Sequence, residues 1–193
     1  MIETNGSSAA PAVLEDLIAG AIRKATNEVF TTMMGLEVSA GPERKGGLGI
    51  TAGRDVMAFI GLAGSWIGTG TVCCNAAAAC RMSTRFLMSE LDSVNGDVLD
   101  AVGEITNMIL GNVKSMLENH LGQLCLSVPT VVYGKNFEAR AFNGSESISV
   151  PFQIGEDHFE VSLALRRHMR RAGLRNGFPI EEQFLLASAR DRR

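Results

Sequence analysis

The stretch Asp97-Val98-Leu99-Asp100-Ala101-Val102-Gly103-Glu104-Ile105-Thr106-Asn107-Met108-Ile109-Leu110-Gly111 decides how the rest of the chain is read. Val98, Val102, Ile105, Ile109, Val113 and Met116 recur at three- and four-residue steps, which predicts the core-facing stripe of a long helix. Asp97, Asp100, Glu104, Asn107, Gly111, Lys114 and Glu118 recur at the same steps on another face. At about 100° per residue, Asp100, Glu104, Asn107 and Gly111 fall within an arc of roughly 60°. A carboxylate, a carboxamide and a gap without a side chain thus line up along one helix. Two readings of this row stay open. It is a solvated face, or it is built to receive something. Asn and Gly are both poor interior helix residues, Gly by roughly 1 kcal/mol against Ala. Gly111 removes bulk one turn beyond Asn107 and lets another backbone approach.

Working outward, the same pattern recurs near the N-terminus. Glu28-Val29-Phe30-Thr31-Thr32-Met33-Met34-Gly35 aligns with Glu104-Ile105-Thr106-Asn107-Met108-Ile109-Leu110-Gly111 at constant offset. A first helix is predicted over 13–34, with Leu14, Leu17, Ile18, Ala21, Ile22, Ala25, Val29 and Met33 on its apolar side and Gly35 as its stop. Two similar halves, each a helix followed by strands and a hairpin, predict a duplicated α+β fold with an antiparallel-rich sheet packed against long helices. Lys24 and Thr31 stand where the second copy has Asp100 and Asn107. If the polar row is a site, only the second copy is intact.

Between and beyond the two helices the chain alternates strand and turn signals. Leu36–Ser39 reads as a strand, 41–47 as a polar turn region, and short strands are expected around Leu48–Ala52. Val56–Leu62 and Trp66–Cys74 read as a hairpin joined at Ala63-Gly64-Ser65. The glycines at 61, 64, 68 and 70 do not make a phosphate loop, because no Lys-Ser/Thr follows and no helix opens there. Asn75 is a candidate N-cap for a helix from Ala76 to about Leu91. Leu124–Gly134 is β-like, with Pro129 marking a bend or an edge. Ser147–Ile154 and His158–Leu165 form a second hairpin around Gly155-Glu156-Asp157. A short terminal helix is expected over Pro179–Ala189.

At 193 residues the chain suits one domain. We divide it into a loose leader at 1–12, a folded domain at 13–165 and an Arg-rich extension at 166–193, read as a solvated tail or, less simply, a surface that docks on an anionic one. A net charge of −3 favours no nucleic-acid partner. No 18-residue apolar run and no secretory pattern are present, so a cytoplasmic protein without membrane partners is expected. Cys73, Cys74, Cys80 and Cys125 match no zinc or redox spacing and read as buried, reduced and structural, and the three histidines are scattered. No metal or other cofactor of its own is expected.

With Asp100-x3-Glu104-x2-Asn107, Gly111 and Pro129 in order, flanked by Ser127-Val128-Pro129-Thr130-Val131-Val132-Tyr133-Gly134-Lys135-Asn136, the sequence resembles the CheX/CheC family of chemotaxis phosphatases, its CheX branch in particular. Ala25–Gly35 and the two hairpins extend the likeness over about 13–165. The resemblance implies hydrolysis of the aspartyl phosphate on a CheY-like response-regulator receiver domain. It implies that Asn107 orients the attacking water, that Glu104 docks on the receiver's active-site lysine, and that Mg²⁺ is supplied by the receiver. Asp100, Gly111 and Pro129 would shape the contact, and two copies would pair as a homodimer through sheet edges. An acyl phosphate is already activated, so an aligned water and charge stabilisation suffice, without a His or Cys nucleophile. The alternative is a non-catalytic adaptor that binds a receiver through the same helix.

Overall fold

The computed structural model describes residues 11–46, 54–135 and 146–168. The strands expected around 48–52 and the terminal helix over 179–189 lie outside them. Within the described residues, three α-helices pack on one face of an antiparallel sheet of eight strands. In chain order these are α1 (Pro11–Val29), β1 (Ser39–Ala40), β2 (Arg44–Lys45), β3 (Val56–Gly64), β4 (Trp66–Cys74), α2 (Ala76–Leu87), α3 (Gly96–Leu121), β5 (Leu124–Leu126), β6 (Thr130–Tyr133), β7 (Glu146–Ile154) and β8 (Asp157–Arg167).

The duplication is borne out, and it is interlaced. Each half contributes a long helix, two short strands and a hairpin. The hairpins β3–β4 and β7–β8 meet at the centre, where β4 pairs with β8. The short strands of each half then edge the other half's hairpin. β1 and β2 pair with β7, while β5 and β6 pair with β3. This exchange binds the halves into one sheet, so neither half can close its sheet alone.

The helix faces follow the periodicity. Val98, Val102, Ile105, Ile109 and Val113 are buried against the sheet, and Met116 is only half-buried. From the sheet, Ile148, Val150, Phe152, Phe159, Val161 and Leu163 fill the same core, with the Phe159 ring stacked between Phe30 and Phe152. Gly70 accounts for part of the glycine cluster: a Cβ there would stand 2.6 Å from the Leu110 side chain, so its absence lets α3 settle on β4.

Several boundaries differ from expectation. α1 ends in a π-helical turn over Phe30–Met34, closed by Gly35 in the left-handed region at φ 61°. Met33, expected on the apolar side, is thrown outward and is 53% exposed. The first edge strand is only Ser39–Ala40, and the polar turn region supplies β2. α2 stops at Leu87, four residues early, because Met88 takes a left-handed conformation and closes the helix on Thr84. Asn75 caps α2 as read, its Oδ1 accepting the Ala78 N–H at 2.7 Å.

The sheet's second face also departs from the alternation. Glu160, Ser162 and Ala164 of β8, which alternate with the core-facing Phe159, Val161 and Leu163, are buried too. Glu160 accepts from Arg54 at 3.0 Å and Arg44 at 3.4 Å, and Ser149 and Ser162 share a hydrogen bond of 2.8 Å. The cysteines are likewise mixed. Cys73 and Cys74 are buried on opposite faces of β4, and burial pushes the Cys73 thiol up to about 11 and that of Cys74 higher still. Cys125, expected inside, is exposed, because β5 lies at the sheet edge. No helix among the described residues is long and apolar enough to cross a membrane.

Candidate functional site

α3 runs for 26 residues, and its start is fixed by Asn95, whose Oδ1 accepts the Val98 N–H at 3.0 Å. Gly122 closes its far end on Glu118. The core stripe is buried on the side facing the sheet, which puts the polar row roughly 180° away, on the helix's outer side.

Along that outer side the polar residues divide into two groups. Lys114 and Glu118 are committed internally: they pair at 3.0 Å, and the Glu118 carboxylate also accepts the Leu124 N–H at 2.9 Å, tying the helix end to β5. The Leu124 N–H, followed by Lys114, holds the Glu118 carboxyl below its ordinary pKa. Asp100, Glu104 and Asn107 are exposed, and among the described residues neither carboxylate has an ion-pair partner. Gly111 lies one turn further along, and a Cβ built there meets nothing within 4 Å. No other part of the described chain uses the gap left by Gly111. It opens outward.

Pro129 joins this row through a route the sequence reading did not see. Pro129 and Val131 pack on α3 at Gly103, where an added Cβ would lie 3.4 Å from Val131 Cγ2 and 3.7 Å from Pro129 Cγ. Gly103 precedes Asn107 by one helical turn, so the segment around Pro129 forms a rim beside Asn107. Next to it Val128 is 82% exposed, with Val132 and Tyr133 also open. The structure therefore brings Asp100, Glu104, Asn107, Gly111 and Pro129 to one surface. It adds Gly103 and Val128, which carried no sequence signal beyond their neighbourhood.

The first copy does not reproduce this surface. Thr31 falls within the π turn, and Gly35 ends its helix, where Gly111 lies well inside α3. The equivalent motif is thus short of a turn as well as short of the carboxamide.

A family profile for chemotaxis phosphatase CheX matches residues 56–153, a span that contains the first hairpin, α3, the rim and most of β7. The chain belongs to the CheX family. Solved structures of CheX agree in fold. The chemotaxis protein CheX from Desulfovibrio desulfuricans is 27% identical with a TM-score of 0.69, over 77% of this chain and 99% of that one. CheX from Vibrio vulnificus is 24% identical with a TM-score of 0.69, over 77% and 99%. The CheX of a CheX–CheY–BeF3–Mg²⁺ complex from Borrelia burgdorferi is 24% identical with a TM-score of 0.67, over 78% and 98%. No curated protein sequence matches the chain. The family is one of chemotaxis phosphatases, and the antiparallel α+β architecture expected from the duplicated sequence is that of CheX and CheC-like proteins.

Proposed function

We propose that this CheX-family protein hydrolyses the aspartyl phosphate of a CheY-like receiver domain in the cytoplasm, and that the outer side of α3 is its working surface. The observation that carries the reading is the exposed row Asp100, Glu104 and Asn107, whose carboxylates have no ion-pair partner among the described residues, set between an open glycine and a proline rim on a helix fixed at both ends. A row that merely kept the helix wet would not need Asn and Gly at these interior positions, where both oppose helix formation.

Asn107 has the chemistry the reaction requires. Its carbonyl oxygen accepts a proton of water while its NH₂ donates to an acceptor on the receiver, so one side chain fixes a water's orientation. That water attacks phosphorus in line, the bond between phosphorus and the aspartyl oxygen breaks, and aspartate and inorganic phosphate leave. The receiver's own Mg²⁺ would hold the phosphoryl oxygens, so this chain needs no metal centre. Glu104, one turn from Asn107, would take a receiver lysine in a charge-assisted contact, and Asp100 would reinforce the negative field. Because the amide works without changing its protonation, no shifted pKa is needed. Gly111, at the end of the row, and Pro129, beside its middle, would set how closely the receiver approaches.

The test is phosphate release from a panel of phosphorylated CheY-like receivers, with and without the native protein. Acceleration well above each receiver's own rate supports the phosphatase. Binding to a receiver with no acceleration overturns it in favour of the adaptor. Glu104→Gln is expected to weaken receiver binding by about tenfold, the scale of one exposed-to-buried charge contact.

A further inference from the structure

The hydroxyl of Ser127 has no part in the reading above, yet it occupies the point on which the rim depends. β5 and β6 are two parts of one edge strand, both paired with β3. Leu126 faces Leu62 and Thr130 faces Phe59. Between those pairs β3 has Ile60 and Gly61, whereas the edge has Ser127, Val128 and Pro129. One extra residue on one strand is a β-bulge, a device that re-aims side chains and recurs beside active sites. Here it resets the alternation so that Pro129 and Val131 both lean on Gly103 of α3.

A bulge breaks the ladder, and Pro129 has no N–H with which to restore it. Ser127 repairs the break on both sides. Its backbone N–H donates to the Gly61 carbonyl at 2.9 Å. Its Oγ accepts the Gly61 N–H at 2.9 Å, in place of the carbonyl that would serve in a regular ladder. The same hydroxyl donates to the Val128 carbonyl at 2.9 Å, and that carbonyl belongs to the peptide leading into Pro129. A Cβ at position 61 would lie 3.5 Å from Ser127 Oγ, an ordinary contact, so the arrangement does not depend on a glycine there. One side chain therefore ties the central sheet to the orientation of the Val128–Pro129 peptide.

We propose that Ser127 is a positioning residue: its hydroxyl locks the bulge so that Pro129 stays seated on Gly103 and the rim keeps a fixed standoff from Asn107. The functional half of this proposal rests on the receiver-phosphatase reading, while the structural half does not.

The experiment uses the full chain with Ser127→Ala and Ser127→Thr, followed by two readouts. Amide hydrogen exchange at Gly61 reads the lock itself. Steady-state turnover of a phosphorylated receiver reads its consequence. Ser127→Ala is expected to speed Gly61 exchange about tenfold, the scale of one lost hydrogen bond. It is expected to raise KM by about three- to tenfold with kcat within about twofold, because a misplaced rim weakens docking without touching the water-orienting amide. Ser127→Thr, which keeps the hydroxyl, restores both. Unchanged Gly61 exchange overturns the lock. Faster exchange with unchanged KM overturns the positioning role and leaves the phosphatase reading standing. A failure of Thr to restore either readout overturns the assignment to the hydroxyl. If the native chain itself turns over no receiver, the phosphatase reading and the functional half fall together, and Gly61 exchange still decides the lock.

Discussion

Gly111→Ala separates what a glycine does for the fold from what it does for a partner. Position 111 lies inside α3, ten residues before its end, and an added Cβ meets nothing within 4 Å. The methyl group therefore neither clashes nor packs, and the substitution changes helix propensity alone, worth about 1 kcal/mol in favour of Ala. For a domain of this size that amounts to a rise in Tm of about 2–4 °C. Gly20 supplies the control, because it also lies inside a helix, α1, with open space at its Cβ and away from the α3 row. Gly20→Ala and Gly111→Ala should stabilise alike in urea or thermal unfolding. They should part in binding to a receiver held in its activated form with beryllofluoride. A methyl group forced into a closely approached surface costs about 1–3 kcal/mol, so Gly111→Ala should weaken binding by about tenfold or more, and Gly20→Ala should leave it unchanged. If Gly111→Ala binds the receiver as the native chain does, the glycine is no approach gap. If it destabilises the fold, the surroundings of residue 111 are not open, and the reasoning fails at its first step.

Three further outcomes follow from the structure. Asn95→Ala removes the acceptor for the Val98 N–H at the start of α3 and should cost about 1 kcal/mol in urea unfolding, with Asn95→Asp retaining most of the stability; equal stability of all three would refute the cap. Arg54→Met leaves the Glu160 carboxylate, 3% exposed, with the largely exposed Arg44 at 3.4 Å and the Ser162 hydroxyl at 3.4 Å; a loss of about 3 kcal/mol is expected, and a loss under about 1 kcal/mol would show the pair to be dispensable. Iodoacetamide at about pH 8 should modify exposed Cys125 in the native protein and reach Cys73 and Cys74 only after unfolding, because burial encloses both thiols and keeps them protonated; peptide mass spectrometry checks this, and native-state labelling of Cys73 or Cys74 at the Cys125 rate would contradict it.

Where local period and burial agreed, the sequence could be read directly. The α3 stripe from Val98 to Val113, the hairpins and the Asn75 cap are all local signals, and each appears in the structure. The duplication was legible from Glu28–Gly35 against Glu104–Gly111. The exchange of edge strands between halves was not, because pairing of β1 with β7 and β5 with β3 joins segments far apart in the chain. The burial of Glu160 and Ser162 was not legible, because alternation alone cannot tell a polar set that faces solvent from one satisfied by Arg54 and Ser149. Met33 read as core because a 3.6-residue period does not anticipate a π turn. At the site, the helix row was visible as spacing. The seat of Pro129 on Gly103 and the Ser127 lock were not, since both arise from a bulge whose extra residue can be counted only once the partner strand is known.

In the proposed reaction Asn107 orients the water that releases the phosphate. This role is tested most directly by the single-turnover rate of phosphate loss from a phosphorylated receiver at saturating native protein or Asn107→Ala, with binding to the beryllofluoride-activated receiver measured in parallel. A rate lower by about 10²-fold or more is expected for Asn107→Ala, with binding nearly retained. A rate within about threefold of native at equal binding would contradict it.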